Sequence, residues 1–518
     1  MEALRRFLSI VHADLLARVR TPRFWLAIGA VAMAAWWCFP SKGSSYMILG
    51  LNGQYRGQYS SAWIGMVLAM TSIWLSLIGF YLVRGTLARD IDTRVWQLLV
   101  ATPMRRHTYL LAKWCSHLAV LALVAGAGLA VGAASQWWRG EDTRIDLIEL
   151  LKPVLLLQLP GLALTAMFAL WFDLAPWLRR TAGSVLYFLL WLAMLAATAQ
   201  NLRSADAAPQ PGLLGDPFGV AVFHQAVRAG AAPQIEEALR PGFCLGCGTS
   251  NTAVRTFDWS HWEVAPQALP GRLFWLLLAA LGVAACAPLL DRAAARSSSA
   301  SGKQDDGGSG LVWLSVLLRP LQRSVFGTLL ASELQLTLRQ RKLWWWLAVL
   351  GAAVMQLAGT VEAACFAALA AWLLCLDIHA HAALRESASG TAPVVFSAAR
   401  AGGRILGARA AMLVLLGVVL TLPALLRFAL TAPLMAAALL AIAISLAAWA
   451  LALGTATRSA LPFEVLACVL AYLSINGAPL LHAGADSRFT LTLHCAALPV
   501  AVIVLWTMWP RLVRARAT

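Results

Sequence analysis

Charged residues are scarce in this chain: they make up 13% of its 518 residues, whereas soluble domains carry about a quarter. Apolar residues make up 60% and collect into runs of about twenty, the length that crosses a bilayer as a helix. A helix satisfies its own backbone hydrogen bonds in lipid, and such runs are too long for the strands of a membrane barrel. The shortage of charge therefore excludes a soluble globular protein and predicts an all-α polytopic membrane protein.

Acidic residues are fewer still, 24 against 41 Lys and Arg, which gives a formal net charge of +17. Such a charge would suit nucleic acid, but the basic residues stand in short loops beside apolar runs, as the positive-inside rule describes. We therefore expect no nucleic-acid partner, and a multi-pass membrane protein with both termini in the cytoplasm. No small-residue cleavage site follows the first apolar run, so we expect no signal peptide.

A G-x-x-x-x-G-K-[ST] phosphate loop is missing from the sequence. The nearest approach, Gly302-Lys303, lacks both the upstream glycine and the following Ser or Thr. We therefore expect this chain not to bind ATP itself. Seven of the nine cysteines stand singly inside apolar runs, where they act as small apolar residues, and no metal site is expected.

About twelve apolar runs fall into two sets of six, which predicts two pseudo-symmetric six-helix halves. The first half covers residues 1–290, a flexible Ser/Gly-rich linker covers 291–316, and the second half covers 317–518. Gly, Pro and polar residues dominate 200–270, which predicts a small extracytoplasmic insertion. The predicted spans are 24–39, 62–83, 109–134, 148–172, 182–199, 272–290, 343–359, 361–380, 405–428, 432–453, 462–481 and 490–509.

The two halves resemble each other in their charged residues as well as in hydropathy. Each half is predicted to begin with a basic interfacial helix, at residues 4–23 and 317–342. An internal duplication explains this shared order better than chance similarity between Ala- and Leu-rich segments. The aligned positions are Asp14 with Glu333, Arg20 with Arg339, Arg23 with Lys342, Arg89 with Arg385 and Asp90 with Glu386.

Residues 84–113, between the second and third predicted spans, combine an apolar patch with basic residues. This composition predicts a short amphipathic helix at the cytoplasmic membrane surface, although a solvated loop that only sets orientation has a similar composition. The distinctive residues are Arg89-Asp90, Leu98-Leu99, Thr102-Pro103, Arg105-Arg106 and Tyr109-Leu110-Leu111-Ala112-Lys113. In this order they resemble the coupling helix of ABC-2-type exporter permeases.

The resemblance implies that the chain is the membrane subunit of an ATP-driven exporter in the bacterial inner membrane, with both six-span halves fused. As a transport subunit it would not be an enzyme and would bind no cofactor of its own. The resemblance also implies that each half docks on a separate cytoplasmic ABC ATPase, which works as a dimer and binds ATP with Mg²⁺. The surrounding lipid is the other expected partner. The residues expected to couple to the ATPase are Arg89, Asp90, Asp92, Arg94, Arg105, Arg106, Arg385 and Glu386. The interfacial helices are expected to take part in docking through Asp14, Arg20, Arg23, Glu333, Arg339 and Lys342.

Two other classes of function stay open. A membrane-embedded enzyme or a maturation factor could use the predicted insertion, whose Cys244 and Cys247 fit a disulfide closing a Gly turn, a metal or redox site, or unpaired thiols. The disulfide is the main expectation. An ion-coupled carrier would need a carboxylate near the middle of a span. The carboxylates of the apolar runs all stand near span ends: Asp173, Glu362, Asp377 and Glu464.

Overall fold

The structure of the chain is a computed structural model that divides into two compact units. The first comprises Met1–Arg179 and Leu186–Gly302, and the second comprises Arg180–Val185 and Lys303–Thr518. Most of the predicted linker, residues 291–315, lies outside the residues that the structure describes. The described residues are 2–41, 46–51, 54–93, 105–175, 177–179, 181–205, 215–235, 243–248, 254–290, 316, 318–339, 341, 343–397 and 401–517.

Helices dominate the first unit because its apolar runs are long and several begin at a capping residue. The Ser60 hydroxyl accepts a hydrogen bond from the Trp63 amide (3.2 Å) at one helix start, and the Asp146 carboxylate accepts from the Ile148 amide (2.8 Å) at another. The helices are α1 (Glu2–Val19), α2 (Pro22–Trp37), α3 (Ser61–Met70), α4 (Ser72–Val83), α5 (Thr86–Asp92), α6 (Arg106–Arg139), α7 (Leu147–Pro153), α8 (Leu159–Leu174), α9 (Thr181–Ala205, beginning in the second unit), α10 (Val220–Ala231) and α11 (Ala268–Ala285).

The second unit is helical throughout its described part. Its helices are α12 (Val325–Leu338), α13 (Leu343–Ala358), α14 (Val361–Leu374), α15 (Leu376–His381), α16 (Arg385–Ser389), α17 (Ala392–Phe396), α18 (Ala401–Leu420), α19 (Leu422–Thr431), α20 (Pro433–Thr457), α21 (Leu461–Ile475) and α22 (Ser487–Ala517). The core of the unit is apolar, with Leu334 of α12, Met412 of α18 and Leu451 of α20 packed in one buried cluster. Arg427 of α19 donates to the carbonyl oxygens of Gln356 and Gly359 (3.1 and 2.7 Å), which the end of α13 leaves without helical partners.

Eight helical segments in the described part of the chain are long and apolar enough to cross a membrane. Each coincides with a predicted span. The chain is therefore a multi-pass helical membrane protein. The eight segments are Arg106–Arg139, Leu147–Leu174, Thr181–Gln200, Ala268–Ala285, Val361–Leu384, Ala401–Leu420, Pro433–Thr457 and Ser487–Arg511.

The other four predicted spans are bent or short. Helix α3 and the segment Ser72–Ile91, which contains α4 and most of α5, are long enough to cross a membrane only as a pair, and the pair bends by 51° at Thr71. Helices α2, α13 and α21 have 15 or 16 residues, about 24 Å at 1.5 Å per residue, against a hydrocarbon core of about 30 Å. The twelve-helix arrangement in two halves therefore stays a prediction.

A four-stranded sheet in the first unit was not predicted, so the all-α prediction is incomplete. Its strands are β1 (Tyr46–Leu51), β2 (Tyr55–Gly57), β3 (Phe243–Gly248) and β4 (Arg255–Phe257), in the order β3-β1-β2-β4. β1 runs antiparallel to both β2 and β3, whereas β2 and β4 are parallel. The predicted insertion therefore completes a sheet with the segment that follows α2.

Buried contacts attach this sheet to the helices. Arg56 of β2 lies 2.5 Å from Glu141, just past the end of α6, and Glu141 also accepts from the Tyr59 amide at 2.9 Å. Burial raises the pKa of the Tyr59 hydroxyl to about 12, so it stays protonated at neutral pH. Trp63 of α3 packs edge-to-face against Phe257 of β4, with ring centroids 5.5 Å apart.

Candidate functional site

A buried charge cluster in the first unit joins α1, α5 and α6. The ammonium group of Lys113 lies 2.8 Å from Asp14 and 2.6 Å from Asp90, and its side chain is 3% exposed. The Tyr109 hydroxyl, one turn earlier on α6, donates to the same Asp90 carboxylate at 2.7 Å. One cation is thus shared between carboxylates from two other helices. Removing one partner of a buried pair leaves uncompensated charge and typically costs about 3–5 kcal/mol.

The position of α5 is defined by its neighbours. Gly85, immediately before the helix, has φ +91°, a conformation that favours glycine. Asp173 at the end of α8 accepts hydrogen bonds from the Gly85 amide (2.9 Å) and the Ala88 amide (3.4 Å), which caps the start of α5. Thr86 and His117 are 2.8 Å apart and tie α5 to α6. Helices α6 and α8 therefore both hold this short element.

Arg18 of α1 reaches the turn just before α5. Its guanidinium donates to the carbonyl oxygens of Leu82 (2.8 Å) and Val83 (2.5 Å), at the end of α4. Burial lowers the pKa of Arg18 to about 10, although Asp14 opposes the shift, so the group stays charged at neutral pH. Helix α1 therefore holds both sides of the α4–α5 turn, through Arg18 on one side and the Asp14–Lys113–Asp90 cluster on the other.

A second buried cluster joins α12, α16 and α18 in the second unit. Arg409, whose side chain is fully buried, donates to Glu333 at 3.0 Å and to both carboxylate oxygens of Glu386. Arg385 lies 2.5 Å from the other Glu333 oxygen and donates to Thr337 at 2.8 Å. Burial raises the pKa of Glu386, but the hydrogen bonds and charge of Arg409 outweigh that effect, so its pKa lies below the usual value.

The two clusters share their spacing along the chain. Arg409 follows Glu386 by 23 residues, and Lys113 follows Asp90 by the same interval. In each unit the other carboxylate stands on the helix predicted as interfacial: Asp14 on α1 and Glu333 on α12. The aligned acids therefore lie in like surroundings, each held by a basic residue near the start of a long apolar helix.

The clusters differ in the contacts of the arginine that directly precedes Asp90 or Glu386 in the chain. Arg385 is half-buried and bonded to Glu333, whereas Arg89 is exposed and its guanidinium makes no hydrogen bond or ion pair with any side chain that the structure describes. In the first cluster one Asp14 oxygen is buried with no hydrogen-bond partner among the described residues. The first cluster thus has one cation and two carboxylates, whereas the second has two cations and two carboxylates.

The remaining predicted coupling and interfacial residues are more peripheral. Arg20, Arg105, Arg106 and Arg339 are exposed. Arg94 and Lys342 lie outside the described residues, and for Asp92 and Arg23 only the backbone is described. The structure therefore brings together Asp14 and Asp90 in one unit, and Glu333, Arg385 and Glu386 in the other.

Sequence reasoning missed the central cations. Lys113 entered only as part of the motif, and Arg409 was not singled out. The available signal was the equal acid-to-base interval of 23 residues, which puts Lys113 and Arg409 at aligned positions. A basic residue inside an apolar helix needs a partner, which is a second signal for Arg409.

The predicted turn at Cys244 and Cys247 is wrong, because both residues belong to strand β3, opposite Gly50 and Met47 of β1. In an extended strand, residues three apart have α-carbons separated by about 10 Å. A disulfide spans at most about 7 Å between α-carbons, so this backbone argues against the expected bridge. Among the described residues, no group of three His, Cys, Asp or Glu side chains could hold a metal ion.

Other polar groups of the insertion contact the rest of the first unit. The buried Glu149 carboxylate lies 2.5 Å from Lys152 and 2.7 Å from His261, and accepts from the Trp262 amide at 3.1 Å. Asp216 accepts from the amides at the start of α10, and burial raises its pKa, although the nearby Arg272 opposes the shift. These contacts anchor the insertion.

The carboxylates of the apolar runs lie at helix ends, as the sequence predicted. Glu362 is in the first turn of α14, and Glu464 is in the first turn of α21, where it accepts from the Thr181 hydroxyl at 2.8 Å. Asp377 lies 2.5 Å from Arg341. Asp173 caps α5.

Comparison with known proteins adds no relative. No family model, no curated protein and no solved structure matches this chain. The functional argument therefore depends on the residues themselves.

Proposed function

We propose that this chain is the permease of an ATP-driven exporter of the ABC-2 type, with both six-span halves in one polypeptide. The supporting observation is the occurrence, once in each unit, of a buried cluster that joins an N-terminal helix, a short helix after two apolar segments, and the start of the next span. In this proposal the chain lies in the bacterial inner membrane with both termini in the cytoplasm. A separate ABC ATPase dimer binds and hydrolyses ATP.

The clusters would transmit force between the ATPase and the spans. Movement of α5 would displace α6, because Asp90 and Lys113 are in contact and Tyr109 bonds to the same carboxylate. In the second unit the double contact of Arg409 with Glu386 would link α16 to α18 in the same way. Breaking such a buried pair costs about 3–5 kcal/mol, so the helices would move together. Closure of the ATPase dimer would then switch access to the substrate path.

The proposal is tested by measuring ATPase association and stimulation. The chain is co-expressed with a candidate ABC ATPase from the same genome, purified, and placed in liposomes. We expect the wild-type chain to retain the ATPase and to stimulate ATP hydrolysis, and Arg89→Glu to weaken both, because Arg89 stands exposed beside the first cluster.

Arg144→Glu is the matched control. Arg144 is also exposed, but it lies beyond the far end of the 34-residue helix α6, about 40 Å from Lys113 in the first cluster. We expect normal association for this variant. A wild-type chain that retains no ATPase, or an Arg89→Glu chain that retains and stimulates it normally, would contradict the proposal.

A further inference from the structure

Two elements are proposed to dock on the ATPase, and their surfaces differ in charge. The first is α5 with the residues up to the start of α6, and the second is α16 with α17. In the first unit Arg89 on α5 and Arg105 before α6 are both exposed. In the second unit the residue aligned with Arg89 is Arg385, whose two terminal nitrogens bond to Glu333 and Thr337. The same aligned arginine thus contributes to the surface in one unit and to the internal cluster in the other.

The composition of the two clusters accounts for this difference. In the first, the Tyr109 hydroxyl donates to Asp90 beside Lys113. The position aligned with Tyr109, four residues before the central cation, is Ile405, which has no donor. Glu333 is also one methylene longer than Asp14, and its carboxylate reaches Arg385 and Arg409 together. The second cluster therefore recruits Arg385 as an additional donor.

The surface around α17 is uncharged, although Arg404 in the first turn of α18 is exposed farther along the chain. No charged residue occurs in 387–397, which contains α17. Val394 on that helix is 77% exposed, while Phe396 packs against Trp509 with ring centroids 6.1 Å apart. This element therefore offers a small apolar contact beside exposed Ser and Thr residues.

We infer, given the proposed function, that only the first element docks by charge: Arg89 and Arg105 meet an acidic groove of the ATPase, whereas the second element docks through the uncharged surface around Val394. Arg385 is then a positioning residue that holds α16 against α12. Docking at the first element is weakened by salt, because salt screens exposed charges. Docking at the second element does not depend on salt, because the surface around Val394 carries no charge.

The experiment measures ATPase association over a range of salt concentrations, using the full chain in detergent and the candidate ATPase of the co-expression test. We expect wild-type association to weaken as salt rises. The double variant Arg89→Gln with Arg105→Gln should bind about tenfold more weakly at low salt and should lose most of the salt dependence. Val394→Asp should weaken association while the salt dependence stays.

A second measurement needs no ATPase and separates positioning from docking. Arg385→Gln should lower the melting temperature of the purified chain by several degrees, and Arg385→Lys, which keeps the charge, by less. Arg89→Gln should leave it within about one degree, because substitution of an exposed charge has little effect on folding. Equal melting of Arg89→Gln and Arg385→Gln would overturn the inference.

The outcomes distinguish this inference from the function on which it rests. If the wild-type chain retains no ATPase at any salt concentration, the proposed function is wrong and the inference falls with it. If the ATPase is retained but the arginine double variant keeps the full salt dependence, only the inference is wrong.

Discussion

The Lys113 ammonium group lies 2.6 Å from the Asp90 carboxylate, 23 residues earlier in the chain, and the Arg409 guanidinium bonds to Glu386 across the same interval. Both pairs are completed by an acid from a distant helix, Asp14 or Glu333. Ionisable groups are costly inside apolar helices, so two such clusters at matching positions indicate a shared role. The contribution of both clusters to the stability of the folded chain is directly testable.

Lys113→Met is expected to destabilise the first unit by about 3–5 kcal/mol, because it leaves Asp14 and Asp90 without their shared cation. Thermal unfolding in detergent measures the effect. Adding Asp14→Asn and Asp90→Asn should recover a large part of the loss, since the buried charges are then removed together. A triple variant less stable than Lys113→Met would contradict this account of the cluster.

Arg409→Lys is expected to destabilise the second unit by about 1–3 kcal/mol, less than Arg409→Met. The lysine keeps the charge, but a single ammonium cannot reproduce the two-nitrogen contact with Glu386 and the additional bond to Glu333. Lys113→Arg is the converse substitution and serves as the comparison, because lysine is the central cation of the first cluster. The expectation fails if Arg409→Lys melts at the wild-type temperature.

The stability of the second unit should depend on pH through Glu386. Its pKa in the folded chain lies below the ordinary value of 4.5, so its contribution is complete at neutral pH. The contribution begins to fall below about pH 4.5 and is lost as the pH drops through the lower, folded pKa. Melting temperatures between pH 7 and pH 3 measure this loss. Glu386→Gln should flatten the curve in that window, and an unchanged slope would show that Glu386 is not responsible.

Gly85→Ala is expected to destabilise the chain by about 1 kcal/mol, because its φ of +91° is a left-handed conformation that alanine rarely adopts. Steric crowding does not contribute, since a β-carbon at this position meets no atom within 4 Å. Gly126→Ala in helix α6 is the control: it too has open space, but its conformation is helical, so alanine should be neutral or slightly stabilising there. Equal effects of the two substitutions would rule out the backbone explanation.

Cys244 and Cys247 are expected to be unbridged, because strand β3 separates their α-carbons by about 10 Å. Chain purified without reductant should therefore show the same number of reactive thiols after denaturation as chain that was first reduced. The seven other cysteines are free and act as an internal reference. Two extra thiols appearing only after reduction, and absent from Cys244→Ser, would show that the bridge forms.

The membrane character and the approximate places of the apolar helices could be predicted from the sequence, because helix formation in lipid depends on local hydropathy and length. The same local patterns placed Asp173, Glu362, Asp377 and Glu464 near helix ends. They also aligned Asp90 with Glu386, because each directly follows an arginine after the second apolar run of its half. The sheet could not be predicted in this way, because β3 pairs with a strand nearly 200 residues earlier.

Tertiary structure alone decided which charges meet. Lys113 contacts Asp14 across 99 residues, and Arg409 contacts Glu333 across 76, so no local pattern contains either pair. It also decided that Arg385 turns toward Glu333 while the aligned Arg89 stays exposed. The physical reason is that a buried charge takes its position from the partners that compensate it, and those partners come from helices that meet only in the folded protein.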